Sequence, residues 1–512
     1  MRNLFIIFLL LSISVKGQDL TIKSGINIIV KKTSYIKVPG NFSNTANGTV
    51  TLNSDSDEFS SIIVGGTATG NIIYNRYVNI VGAGEWDLIG SPVSGLTINS
   101  FITETNNAAA IATNGSLYAV GLYDNNSDTW TNATAATAGN LNLGQGYQMA
   151  TLGGATLAFT GTIATGNQTV AIQNNDAANS GAGRRWNLVS NPYPSYINGN
   201  GNADATHNFI TVNTLKLDDS FEAIYGYNAD GTGYTIYNQI SNTPLYVAPG
   251  QAFFIAADNT TEDTVLFTPA MQTVMGGDDF IAGKTATISY EAVLKLYHDT
   301  TEIAETKFYF EEGLTLGLDP GYDAGAFNQA AAITSRLLEG DQGINLSINA
   351  MDVAHMNSVT IPIIINQQEG QTFKVSIANN SLSEEVNIYL EDTLNGTITL
   401  LQEKEFELTA QNALSGAGRF YIHLTTNALS NEDSLNKTLV NIYKGKGNNF
   451  VTIAGLRSEA TIKLYSILGK EVRVKTLTTS TETLSTNGLS SGIYIIQLKS
   501  NNQLLTKKIQ ID

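Results

Sequence analysis

Phe373-Lys374-Val375-Ser376-Ile377 alternates apolar and polar side chains one by one. A chain with that period of two points one set of side chains to a core and the other to water, which is the signature of a β-strand. The same alternation runs through Gly48-Thr49-Val50-Thr51-Leu52 and Thr285-Ala286-Thr287-Ile288-Ser289-Tyr290. Gly, Asn, Asp or Pro bounds nearly every such stretch, as strand-and-turn chains require. Helical spacing is scarce, and the best candidate is a short helix over 324–338. Many short strands with frequent turns predict an all-β chain of several β-sandwiches.

The composition agrees with this class and removes others. At about 100–200 residues per domain, 512 residues make about three to five domains. Hydrophobic residues make up 42%, enough for real cores, while charged residues make up only 14%. Asn, Thr, Ser and Gly must therefore build much of the polar surface. The chain has no Cys, which excludes a disulfide framework, a thiolate zinc or iron–sulfur site and a Cys nucleophile. A net charge of −17 argues against a nucleic-acid partner, which needs Lys and Arg to displace counterions.

Arg2, the apolar run 4–11 and Val15-Lys16-Gly17 read as a secretory signal peptide over 1–17, cut between Gly17 and Gln18. The run is too short to span a bilayer about 30 Å thick. Residues 18–75 carry short strands and Gly/Asn-rich turns. Thr21-Ile22-Lys23-Ser24-Gly25 and Thr49-Val50-Thr51-Leu52-Asn53-Ser54 look like successive rungs of a short β-solenoid.

An internal repeat follows. Trp86-Asp87-Leu88-Ile89-Gly90-Ser91-Pro92 returns as Trp186-Asn187-Leu188-Val189-Ser190-Asn191-Pro192. Gly144-Gln145-Gly146-Tyr147-Gln148-Met149-Ala150 returns as Gly250-Gln251-Ala252-Phe253-Phe254-Ile255-Ala256, and Ala158-Phe159-Thr160 as Leu266-Phe267-Thr268. Three matches in one order predict two homologous β-rich units over 76–175 and 176–275. A jelly-roll-like sandwich is expected over 276–426 and a polar linker over 427–433. The last segment, 434–512, holds eleven basic and four acidic side chains, +7 against −17 for the whole chain. A sign change at a linker marks a separate domain.

That segment carries recognisable motifs. Thr461-Ile462-Lys463-Leu464-Tyr465-Ser466-Ile467-Leu468-Gly469-Lys470-Glu471-Val472 resembles the central motif of the C-terminal sorting domain of type IX secretion substrates. Leu489-Ser490-Ser491-Gly492-Ile493-Tyr494-Ile495-Ile496-Gln497-Leu498 resembles its second motif, and Lys507-Lys508-Ile509-Gln510-Ile511 its terminal strand. The resemblance implies an Ig-like sandwich read by an outer-membrane translocon. It implies that the domain is usually cleaved and that the cargo is released or attached to surface lipopolysaccharide. The expected location is outside the cell, secreted or attached to the cell surface. The cargo resembles, more loosely, non-enzymatic surface β-proteins found with such domains, through Tyr74-Asn75-Arg76-Tyr77-Val78, Leu318-Asp319-Pro320-Gly321-Tyr322-Asp323 and the two Trp…Pro motifs.

Chemistry is harder to find. His207, His298, His355 and His423 stand far apart, with no H-x-x-x-H pair and no G-x-S-x-G elbow nearby. Carboxylate neighbours such as Asp218-Asp219, Asp278-Asp279, Glu311-Glu312 and Glu384-Glu385 point to opposite faces of a strand, not across a cleft. No cofactor is expected. Calcium is the best candidate for a small ligand. Asp124, Asn126 and Asp128 place oxygens at alternate positions of one turn, and Asn228 with Asp230 forms the matching turn of the second repeat; Asp319 with Asp323 is a third candidate. Polar hairpin turns are the bland alternative. Trp86 and Trp186 fit a core, whereas Trp130, Tyr193, Tyr196 and Tyr234 are candidates for a sugar-stacking surface. Asp-Ser/Thr-apolar triplets at Thr264, Thr393 and Ser434 resemble the O-glycosylation sequon of bacteria with this secretion system. The expected function is an adhesin-like, non-enzymatic binding protein. Alternatives are a carbohydrate-binding accessory protein, with extracellular glycans as partners, and, behind it, a secreted hydrolase.

Overall fold

A computed structural model of the chain describes residues 17–45, 48–82, 86–176, 183–228, 233–241, 244–274, 276, 290–429, 439–445, 447–500 and 503–511. Residues 1–16 of the expected signal peptide, the strand expected over 285–289 and most of the linker lie outside them, as do Asp230, Asp278, Asp279 and Ser434. The described chain is all-β and multidomain. Its few helices are short turns of six residues or fewer, such as Ile98–Thr103 and Thr105–Ala110. No helix forms over 324–338: Ala324–Gly325 and Ile333–Ser335 are short strands instead. Their apolar side chains are drawn to two different cores, which a helical reading of local spacing cannot foresee.

The N-terminal strands stack in parallel, as rungs must. Asn27–Val30 pairs with Thr49–Asn53, and that strand pairs with Ala68–Val78. Leu20–Thr21 pairs with Phe42–Asn44, and Tyr35–Val38 with Ser61–Val64. The parallel pairing is that of stacked rungs, but the rungs are matched differently from expectation: Thr21 stands on Ser43, and Thr49 on Asn27. Inward-facing Val50, Leu52 and Tyr74 are fully buried, each contributing about 1.5–3 kcal/mol by leaving water.

Strand Ala68–Val78 belongs to two structures at once. Its first half caps the solenoid in parallel, and Asn71 to Val78 pairs antiparallel with Ala155–Thr162. The solenoid and the first repeat therefore share one core, running from Ile22 to Ile163. In the second repeat Gln168–Ile172 takes the equivalent place against Asp263–Phe267. That strand opens the second repeat, whereas the boundary at 175/176 expected from the repeat matches put it at the end of the first.

The repeats match strand for strand. Ile89 pairs with Tyr147 and Leu88 with Gln148; Val189 pairs with Phe253 and Leu188 with Phe254 in the same register. The hairpin Leu117–Asp124/Thr129–Thr134 corresponds to Ile224–Asn228/Gly233–Tyr237. The two units also bridge reciprocally, Ile89 to Gln251 and Val189 to Gln145. Equivalent residues swap roles across the seam, so the repeats meet as a pseudo-two-fold pair.

The third unit, from Tyr290, is one sheet of eleven strands that curls nearly closed around a core of Leu294, Phe308, Ile361, Ile388 and Ile422. A jelly-roll-like sandwich was the expectation; the strands form one continuous path instead. The last unit is a two-sheet sandwich. Asn441–Tyr443, Phe450–Ala454 and Thr481–Ser485 face Ala460–Ser466, Glu471–Leu477, Gly492–Ser500 and Gln503–Ile511 over their own core.

Candidate functional site

A wide open groove of about 1720 Å³ is walled mainly by the first repeat, the second repeat and the third unit. One wall is the hairpin Tyr290–His298/Thr301–Phe310, whose alternation turns Lys295, Glu305 and Lys307 outward while Leu294, Leu296 and Phe308 enter the core. The outward charges neutralise one another: Lys295 lies 2.6 Å from Glu302 and 3.7 Å from Glu305, and Lys307 lies 2.8 Å from Glu305. His298 Nε2 meets Gln367 Oε1 at 2.7 Å. Asn366, Gln368, Gln371 and Asn328 add amides, and Tyr227, Tyr234 and Thr235 form the facing wall. The lining sets two lysines against four carboxylates, Asp57, Asp87, Glu302 and Glu305, and mixes hydrogen-bonding amides and phenols with apolar side chains.

Its floor is an aromatic seam. Phe327 stacks on Trp186 at 4.4 Å and on Tyr234 at 3.9 Å, so both of its faces are covered. Phe254 receives Tyr123, Trp130 and Tyr234 edge-on. These rings join the two repeats to the third unit. Local sequence gives no sign of this, because Phe327 stands 141 residues after Trp186.

The sugar-stacking candidates are dispersed. Tyr193 is buried, its hydroxyl donating to the carbonyls of Gly166 and Phe267, and Tyr196 packs edge-on to Phe59. Trp130 packs on Tyr123 at 5.1 Å, and Tyr234 lies in the seam. Trp130 and Tyr234 meet at Phe254, Trp130 staying 37% exposed, but Tyr193 and Tyr196 are buried elsewhere, so the four form no common platform. Trp86 is half-buried and Trp186 buried, as core residues.

Two of the calcium candidates sit on hairpin tips, and the third, Asp319 with Asp323, lies in the loop before Ala324–Gly325, where Asp323 is buried. Asp124 accepts from the Asn126 amide at 3.1 Å and the Ser127 hydroxyl at 2.6 Å, and these bonds hold its carboxyl below the usual range. Asp128, at φ +54°, accepts from the Tyr123 hydroxyl at 2.8 Å. Asn228 accepts from Thr235 at 2.8 Å, and its expected partner Asp230 lies outside the described residues. Asp319 accepts from Thr315, and Asp323 from the amides of Asp319 and Ala350. Among the described residues no group of three or more His, Asp or Glu is placed to hold a metal.

His423 does have a carboxylate partner. Its Nε2 lies 2.7 Å from Glu391 Oε2, its Nδ1 lies 3.0 Å from Thr360 Oγ1, and the other Glu391 oxygen accepts from Arg457 at 3.0 Å. Glu391 is 1% exposed, so the cluster is sealed beneath the last unit. Thr264 is exposed on its strand, whereas Thr393 is half-buried beside Asp392, which is bound bidentately by Arg419.

The three motifs of the last unit lie on adjacent strands of one sheet. Leu464 pairs with Ile496, Tyr465 with Ile495 and Tyr494 with Ile509. Gly469 takes φ +80° at a tight turn that closes when its amide donates to the Ser466 carbonyl at 2.9 Å. Leu464 is buried and Leu489 packs against the core, while Leu468 at the turn is exposed. Tyr494 donates to the Ser490 carbonyl at 2.9 Å. Gly492 opens the strand Gly492–Ser500 with open space about it; Lys507 is half-buried and Lys508 exposed. Among the described residues no helix is long and apolar enough to cross a membrane.

Residues 441–512 match the secretion system C-terminal sorting domain, which makes the chain a type IX secretion substrate, exported to be attached to the cell surface or secreted. A solved structure of PorZ, an essential bacterial surface component of the type-IX secretion system of Porphyromonas gingivalis, matches at 16% identity and a TM-score of 0.14. That match covers 29% of this chain and 21% of PorZ, so the chain spans about a fifth of its length. No curated protein matches. Residues 7–424 match the family described as Domain of unknown function (DUF8693), and the chain belongs to that family.

Proposed function

We propose that this chain is an adhesin-like, non-enzymatic binding protein of the cell exterior, whose ligand lies in the groove between the repeats and the third unit. The observation that carries this reading is the groove's chemistry. Its Lys and Glu side chains compensate one another, and amides and tyrosines are left to read a ligand. Such a lining suits a polar, uncharged polymer, and the Asn and Gln rim favours an extracellular glycan among such ligands. Against a hydrolase stands the sealed His423–Glu391 pair, whose carboxylate is committed to Arg457. The test is a glycan array probed with mature protein, beside Tyr227→Ala and Gln371→Ala. Retention that both substitutions weaken supports the reading. Retention that neither changes, or no retention at all, overturns it.

A further inference from the structure

The outer face of the third unit's sheet carries Tyr389, Glu391, Tyr421 and His423. Their neighbours Ile388, Leu390, Ile422 and Leu424 point the other way, into the core. Outer-face side chains should be wet, yet these four are 1–8% exposed. The sorting domain reaches this face at Glu391. Arg457 reaches Glu391 at 3.0 Å, and the backbones of Gly418 and Gly455 meet so closely that a Cβ on Gly418 would lie 2.5 Å from the Gly455 nitrogen.

A second contact lies nearby. Arg336, paired with Asp341 at 2.7 Å, lies 4.1 Å over the ring of Tyr443. The Lys444 amide donates to the Asp341 carbonyl at 3.4 Å. Lys507 is set down beside Asp341 and Glu339, and burial there lowers its pKa. The sorting domain's strands pair only among themselves, and it has its own core. Among the described residues it is thus a self-contained body held by side chains, close glycine approaches and the Lys444–Asp341 backbone bond, not by a shared sheet. While it is seated, Ile467 and Leu468 stay 72% and 93% exposed, so the seat leaves that turn free.

We propose that the third unit carries a built seat for the sorting domain, with Glu391 as its acidic anchor and the Arg336–Asp341 pair under Tyr443 as its second support, and that the seat holds the domain non-covalently even when the chain between them is severed. The interaction is read by basic side chains on an acidic receptor, so it weakens with salt, although burial of Glu391 limits the screening.

The test places a sequence-specific protease site between residues 429 and 439 of the full chain, cuts it, and follows the two parts by size exclusion. The native parts should co-elute in about 50 mM salt and separate more readily in about 0.5 M. Arg457→Ala, checked for folding by circular dichroism of the released domain, should weaken retention about tenfold or more, because it uncovers a buried carboxylate. Arg457→Lys should restore part of it. Prompt separation of the native parts in low salt, or equal retention by Arg457→Ala, would overturn the proposal.

Discussion

Gly90 donates its amide to the carbonyl of Gly250 at 2.7 Å, and its repeat counterpart Ser190 donates to the counterpart carbonyl of Gly144 at 2.7 Å. The reciprocity makes the seam between the repeats two-fold in its hydrogen bonds as well as its strands. It also explains why Gly144 and Gly250 both take positive φ, +77° and +68°.

The seam tolerates no side chain at residue 90. A Cβ on Gly90 would lie 1.9 Å from Ser190 Oγ and 2.5 Å from the Gln145 carbonyl. Gly90→Ala should cost about 2 kcal/mol or more, since backbone must move to relieve it. Gly153→Ala, with open space around it, is the control and should change little. Denaturant midpoints compare them, and equal midpoints would show that the seam is slack.

Two buried carboxylates set a pH dependence. Burial raises Glu222 from 4.5 to about 7 and Asp323 from 3.8 to about 7. Between the unfolded and folded values the folded state holds more protons than the unfolded one, so their contribution to stability falls as pH rises through that window and levels off above about 7. Glu222→Gln cannot lose a proton. Its stability relative to the native chain should therefore improve from about pH 5 to about pH 7.5. Urea midpoints at both values read the difference, and a gap that stays constant would remove Glu222 as a cause.

The sequence showed what local periodicity can carry. Alternation at Phe373-Lys374-Val375-Ser376-Ile377 marks a strand whatever it packs against, and the Trp86 and Trp186 motifs repeat because their strands hold the same register. What it hid is non-local. Phe327 reads as part of a helix because its neighbours are apolar at helical spacing, yet Trp186 and Tyr234 determine its place. The groove is invisible for the same reason, since its walls come from three units. Glu391 looks like any strand carboxylate until Arg457, 66 residues later, covers it.

The Asp124 turn makes its own bonds, so its carboxylate should matter to the turn before it matters to a cation. Asp124→Ala should cost about 1 kcal/mol by freeing the Asn126 amide and the Ser127 hydroxyl. That cost should be the same with calcium or with a chelator. A rise in melting temperature with calcium that Asp124→Ala abolishes would instead establish the turn as a calcium site.

Phe327 is one tie between the third unit and the repeats, beside a shared core in which Tyr309, Ala324 and Ile348 pack with Trp186, Phe221 and Tyr225 and the Tyr225 hydroxyl donates to the Gly325 carbonyl. The ring lies between Trp186, at 26° to its plane, and Tyr234, at 20°. Phe327→Ala should cost about 2–4 kcal/mol, less than the upper range for a fully buried ring because Phe327 is only half-buried. Phe327→Leu keeps much of the volume and loses the stacking, about 1 kcal/mol. The cores of the third unit and of the second repeat remain intact in both variants. The shared core and the backbone bonds from Gly325 to Ser220 and from Gln239 to Gly321 remain, so calorimetry of the alanine variant should show one transition shifted downward. A separate transition for the third unit would mean instead that the Phe327 ring is the joint that couples the units.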